Sequence, residues 1–131
     1  GYIGQIEDPT CDNQHYRRVL FTAKHSQLVL MNLKPGEEIG EEVHGMDQFI
    51  RFEEGEGTVV LDGEKHAVSD GFAVVIPAGT RHNVVNSGKT AALKLYSLYS
   101  APEHKDGIIH KTKQEADADH DHHFDGRTSM K

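Results

Sequence analysis

Cysteine, tryptophan, basic charge and long apolar runs are what this chain has little of or lacks. Cys11 is the one cysteine among 131 residues, so no disulfide can close within the chain. It lies in a polar stretch with only His15 nearby, which does not make a recognisable thiol and base pair. A reduced, cytoplasmic protein is the expectation. No apolar run approaches the roughly 20 residues that a membrane-crossing helix needs. No basic segment followed by an apolar one reads as a signal peptide. Lys and Arg number 14 against 21 Asp and Glu, a net charge of −7. Without a basic stripe, nucleic acid and anionic membrane surfaces are not expected as partners. No internal repeat is found, and no convincing helical pattern precedes residue 100.

Glycine and histidine are abundant instead, at 13 and 10 residues. The glycines suit a chain with many turns. Short apolar or β-branched runs recur at 19–22, 27–33, 48–53, 58–61, 65–68, 72–76, 81–85 and 91–99. They are separated by Lys34-Pro35-Gly36, Glu54-Gly55-Glu56-Gly57, Asp62-Gly63, Ser69-Asp70-Gly71 and Asn86-Ser87-Gly88. Asp62-Gly63 is the strongest hairpin signal. About eight or nine strands at intervals of roughly 8–12 residues argue for an all-β sandwich or barrel. The length fits a single domain, read as an N-terminal arm (1–15), a barrel (16–101) and an acidic, His-rich C-terminal extension (102–131). Thr112-Lys113-Gln114-Glu115 has the form of a capping box, so this extension is expected to hold a short helix to about His120 or to be a mobile tail.

The stretch 71–86, GFAVVIPAGTRHNVVN, carries the most information. Gly71, Pro77, Gly79, His82 and Asn86 stand at fixed spacings that should arise by chance at roughly one start position in a million or fewer. These are the spacings of the second signature motif of the cupin family, which the stretch resembles. The first signature is met in spacing by Gly36, Glu42, His44, Gln48 and Gly55. Its letters differ at two positions: Glu42 replaces the first histidine and Gln48 the glutamate. The motifs span 36–86, about two-fifths of the chain. The chain also resembles small single-domain bacterial cupins, RmlC-like and of the mannose-6-phosphate-isomerase-like group. The resemblance implies an all-β jelly-roll barrel, a double-stranded β-helix, with a short C-terminal helix or tail.

It also implies a metal site at the barrel mouth. The candidate ligands are Glu42, His44, Gln48 and His82. Glu42 and His44 are two apart on an extended segment, so both point to one face. A carboxylate, two imidazoles and an amide oxygen suit one divalent ion per chain, Zn, Fe, Mn or Ni. Net ligand charge equals that of the usual set, with the anionic position moved. A small-molecule substrate and an isomerase-like metal enzyme are expected, with Arg81 and Lys94 as candidate phosphate contacts. A non-haem iron or manganese dioxygenase and a non-enzymatic metal or small-ligand module are the alternatives. The family implies a homodimer.

Other residues carry plainer expectations. The run from Asp119 to His123 reads as an exposed tail with incidental metal affinity. His25, His66 and His110 have no spacing partner. Phe49 and Phe52 read as core, and Arg51 as surface rather than an inward anchor. Tyr96 and Tyr99 are three apart on a strand and face opposite ways, so one of them lines the pocket. Gly55 and Gly57 are turn glycines, since no phosphate-loop lysine follows.

Overall fold

A computed structural model describes residues 1–129 of the chain. Among these residues nine strands and two short helices form, in the order α1 (Glu7–Asp12), β1 (Arg17–Thr22), β2 (Gln27–Leu33), β3 (Asp47–Glu54), β4 (Glu56–Leu61), β5 (Glu64–Ser69), β6 (Ala73–Ile76), β7 (His82–Val85), β8 (Leu93–Ser100), β9 (Ile109–His110) and α2 (Lys113–Ala118). The strands build a six-stranded sheet, β6-β3-β8-β2-β1-β9, and a three-stranded sheet, β5-β4-β7. Every pairing is antiparallel. This is the all-β jelly roll that the resemblance implied.

Alternation along each strand places the core between the sheets. Gln48, Ile50 and Phe52 of β3 point inward, as do Leu93, Leu95, Ser97 and Tyr99 of β8. They meet Val59, Val68 and Val84 from the smaller sheet. Each fully buried aliphatic or aromatic side chain contributes about 1.5–3 kcal/mol. Phe49 is a correction to the expected core. It lies three residues from Phe52, so the two-residue period puts it on the outer face, beside Tyr96 at 6.3 Å. Arg51 is on that face too, paired with Glu53 at 3.0 Å.

The turns follow their residues. Asp62 and Gly63 both have positive φ, 47° and 84°, as the tight hairpin from β4 to β5 requires. Gly55, between β3 and β4, has φ +104°, and a Cβ there would lie 2.5 Å from the Ala92 carbonyl oxygen. Gly55→Ala is therefore expected to destabilise the fold by about 2–4 kcal/mol in urea denaturation. A loss under about 0.5 kcal/mol would show that β8 yields easily at this point.

Both ends of the chain are more ordered than their composition suggested. The N-terminal arm, where no helical pattern was found, contains α1. Glu7 and Asp8 favour its N-terminus, and Pro9 in the first turn needs no N–H partner. Six residues are too few to show a helical period, which is why it is invisible in the sequence. At the other end the Thr112 capping box forms with both bonds, each 3.1 Å. Its helix stops at Ala118, short of His120. The following residues return to the barrel, where His123 bridges His104 and the His122 carbonyl accepts from the Lys105 N–H at 2.8 Å. No helix among the described residues is long and apolar enough to cross a membrane.

Candidate metal centre

Glu42 and His82 are direct partners in an antiparallel bridge beside the smaller sheet. The Glu42 N–H donates to the His82 carbonyl at 2.8 Å, and the His82 N–H donates to the Glu42 carbonyl at 2.9 Å. Residues paired in this way project side chains to the same face. Two residues further on, His44 joins them, its ring 5.1 Å from that of His82. The second motif makes this register. Pro77 ends β6, and Gly79, at φ +85°, turns the chain while its N–H donates to the His44 carbonyl at 2.8 Å. That bond ties the turn before His82 to the segment carrying His44. Asn86 closes the motif, its amide donating to the Leu33 and Ala91 carbonyls at 2.9 and 3.0 Å.

One donor atom from each of Glu42, His44 and His82 lies within 4.8 Å of the others. His82 Nδ1 contacts the Thr80 carbonyl at 2.9 Å. A carbonyl only accepts, so Nδ1 carries the proton and Nε2 keeps its lone pair. This is the outer-shell bond that fixes the tautomer of a metal-binding histidine. Buried His44 Nε2 has no hydrogen-bond partner, and neither does Gln48 Oε1. The Gln48 amide is oriented by donation to Ser97 Oγ at 3.2 Å, which leaves its oxygen as the spare acceptor. Buried polar atoms without partners are costly, and two of them here belong to side chains of ligating type. The donors present fit a divalent ion.

The electrostatics agree. Burial opposes ionisation of Glu42, but His44 outweighs it, and Arg17 and His82 add to the effect, so the carboxyl sits below its usual range. The Glu42 carboxylate holds the His44 imidazole above its ordinary value, against burial, with Glu103 adding to the pull. Glu42 Oε1 is 3.7 Å from His44 Nε2, and Glu103 Oε2 is 3.7 Å from His44 Nδ1. These are ion contacts, too long for good hydrogen bonds. Glu103 lies on the far side of the ring from Glu42 and orients it.

His104 was not singled out from the sequence, and other residues around the centre differ from or refine their expected roles. Tyr99 is the inward member of its pair, edge-on to both His44 and His104. His104 is buried, and burial first, then Arg17 and His122, push its imidazole down to about 2. It is neutral and shares a proton contact of 3.1 Å with His122. The expected exposed tail is thus corrected in part: His120 and His123 are exposed, whereas His122 is half-buried among His104, His110 and His123. His110, expected in an ordinary role, is buried and bonded to Asp119 and Arg17. The two cations proposed as phosphate contacts are elsewhere. Arg81 is exposed and held by Glu41 at 2.8 Å, and Lys94 pairs with Glu54 and the Cys11 carbonyl. Burial, then Glu54, raises the Cys11 thiol, so it is not an activated nucleophile.

A two-sheet antiparallel barrel with a Glu-His-His cluster between its sheets defines a class. The sequence profile of the cupin domain matches residues 29–99, and the chain belongs to the cupin family. It is 44% identical over 127 residues to an uncharacterized protein of Bacillus subtilis, covering 92% of this chain and 68% of that one. A crystal structure from Bacillus halodurans superposes with a TM-score of 0.87 at 44% identity, covering 90% of this chain and 94% of that one. An RmlC-like cupin from Shewanella frigidimarina shares the fold at a TM-score of 0.59 and 23% identity, with coverage of 64% and 73%.

Proposed function

We propose that this cupin binds one divalent metal ion through Glu42, His44 and His82, with Gln48 as a fourth ligand, and acts on a small polar substrate. The observation that carries this reading is the pair of unpartnered buried polar atoms, His44 Nε2 and Gln48 Oε1. They occur where Glu42, His44 and His82 already converge. When bound, the ion supplies Lewis acidity toward a carbonyl or hydroxyl oxygen. The chain's own residues do the remainder. Thr80 and Glu103 orient the two imidazoles, Ser97 orients the Gln48 amide, and Tyr99 walls the inner side of the site.

An isomerase-like reaction is the first form of the proposal. The ligand letters glutamate, histidine and glutamine support it. The placement of Arg81 and Lys94 removes the phosphate contacts first considered for it. A dioxygenase is the second form, favoured by the two-histidine, one-carboxylate composition of the cluster. A homodimer belongs to the same proposal. It is supported by an outward apolar row in which Phe49 is the cross-strand partner of both Val75 and Leu98. Elemental analysis of untagged protein purified without added metal tests the core of the reading. About one divalent ion per chain is expected. Zinc supports the isomerase-like form, and iron or manganese the dioxygenase. Protein that is metal-free and takes up none in titration rules the reading out.

A further inference from the structure

Beside the metal cluster lies a cavity of about 300 Å³ that Glu42 and Arg17 both line. This is the small end of the usual range for ligand sites. Arg17 starts β1, two residues before inward-facing Val19, so strand alternation turns it toward the interior. The residue is only 7% exposed. Arg17 Nη1 donates to His110 Nδ1 at 3.1 Å, and His110 Nε2 donates to Asp119 Oδ2 at 2.9 Å. The pairing of β1 with β9 sets Arg17 directly opposite His110. The guanidinium is thereby held in one orientation by a neutral imidazole. Its buried Nε has no partner.

The charges lining the cavity leave this cation over. Asp117 is paired with Lys113 at 2.8 Å, and Asp119 is taken by His110. Glu42 makes its ion contact with His44. Among the described residues no carboxylate lies within ion-pair distance of Arg17. A buried charge without a counter-ion is costly, and arginine is always charged. The planar fork of a guanidinium matches the two oxygens of a carboxylate or phosphate. Arg17 and Glu42 line the same cavity, so a small anion held by Arg17 would lie beside the metal cluster.

We propose that Arg17 is the substrate anchor of this site and that its ligand is a small oxyanion, a carboxylate or phosphate bearing a second oxygen that reaches the metal cluster. The second half of this statement rests on the metal-binding reading above, and the first half does not. The neutral imidazole of His110 is the positioning group for Arg17. An anchor at this place is not legible in the sequence, because a single arginine at the start of a strand has no motif.

The test titrates malonate and inorganic phosphate into the wild type, Arg17→Met and Arg17→Lys by calorimetry, with the metal content of each measured beforehand. The wild type is expected to bind at least one of the two anions. Arg17→Met should weaken that binding about tenfold or more with metal content unchanged, and Arg17→Lys should fall between. Preference for malonate assigns a carboxylate ligand, and preference for phosphate a phosphate ligand. A wild type that binds neither anion, or an Arg17→Met that binds both within about twofold of wild type, overturns the proposal. If the wild type is metal-free and takes up none in titration, yet binds an anion through Arg17, the metal reading fails and the anchor stands. If Arg17→Met does not fold, the arginine Nε resonance of the wild type decides. It should shift on saturation with the preferred anion, and an unmoved resonance overturns the anchor.

Discussion

Replacing His44 and His82 together with alanine should leave a folded protein that no longer retains a divalent metal. Loss of an outer-shell partner alone typically costs metal affinity about 10- to 100-fold. Loss of two of the three clustered donors should therefore exceed about 100-fold and abolish stoichiometric binding. Folding should survive, because neither imidazole belongs to the apolar core cluster between the sheets. The control lies within the same chain. Glu64 and His66 repeat the Glu-x-His spacing of Glu42 and His44, with side chains 3.8 Å apart, but they sit on the exposed strand β5. His66→Ala should keep its metal. A double variant that still copurifies with one metal per chain would remove Glu42, His44 and His82 from the site.

The same centre should respond to pH in two opposed ways. Without metal, the charged His44 paired with Glu42 stabilises the fold. That contribution is complete below the unfolded histidine value of about 6.5 and is lost as pH rises through the raised folded value. Metal binding needs the neutral imidazole, so affinity should fall as pH drops through that raised value, by about tenfold per unit below it. Metal titrations from pH 8 down to 6 should therefore show weakening that begins above about 6.5, where an ordinary histidine would still be neutral. Affinity independent of pH over this range would contradict a ligand role for His44.

The Glu-x-His repeat also shows how far the sequence could be read. Residue spacing alone cannot separate Glu42 and His44 from Glu64 and His66. The motif surrounding the first pair can, because Gly79 and Pro77 bring His82 opposite Glu42, whereas the residue opposite Glu64 is the apolar Leu61. The strands and tight turns were legible because alternation and turn chemistry are local. The outward placement of Phe49 was legible too, had the two-residue period been applied to it as it was to Tyr96 and Tyr99. The surroundings of the site were not legible. Arg17 meets His110 across 93 residues, and Glu103 reaches His44 only because the chain after β8 turns back over the barrel. Such long-range pairings leave no periodic trace. The helix α1 escaped for the opposite reason, being too short to have a period.

Gln27 is what fastens that returning chain, and Gln27→Leu should be among the most damaging single substitutions outside the hydrophobic core. The side chain is fully buried at the start of β2. Its Nε2 donates to Thr22 Oγ1 at 2.9 Å and to the His104 carbonyl at 2.7 Å. Its Oε1 accepts the N–H groups of Glu103 and His104 at 3.2 and 3.0 Å. Leucine has nearly the right volume but satisfies none of these groups. Each stranded buried partner costs about 1–3 kcal/mol. Allowing for relaxation, a loss of about 3–5 kcal/mol is expected, a fall in Tm on the order of 10–20 °C. The effect should also be local. Amide hydrogens of Glu103 and His104 should exchange far faster than in the wild type, while those of β3 and β8 change only with global stability. Metal affinity should weaken as well, because Glu103 would no longer hold His44 from its outer side. A volume control, Val29→Ala on the same strand, should lower stability without selectively freeing residues 103–104. If Gln27→Leu melts within a few degrees of the wild type, or if exchange at Glu103 and His104 is unchanged, the returning segment is held by something other than this side chain.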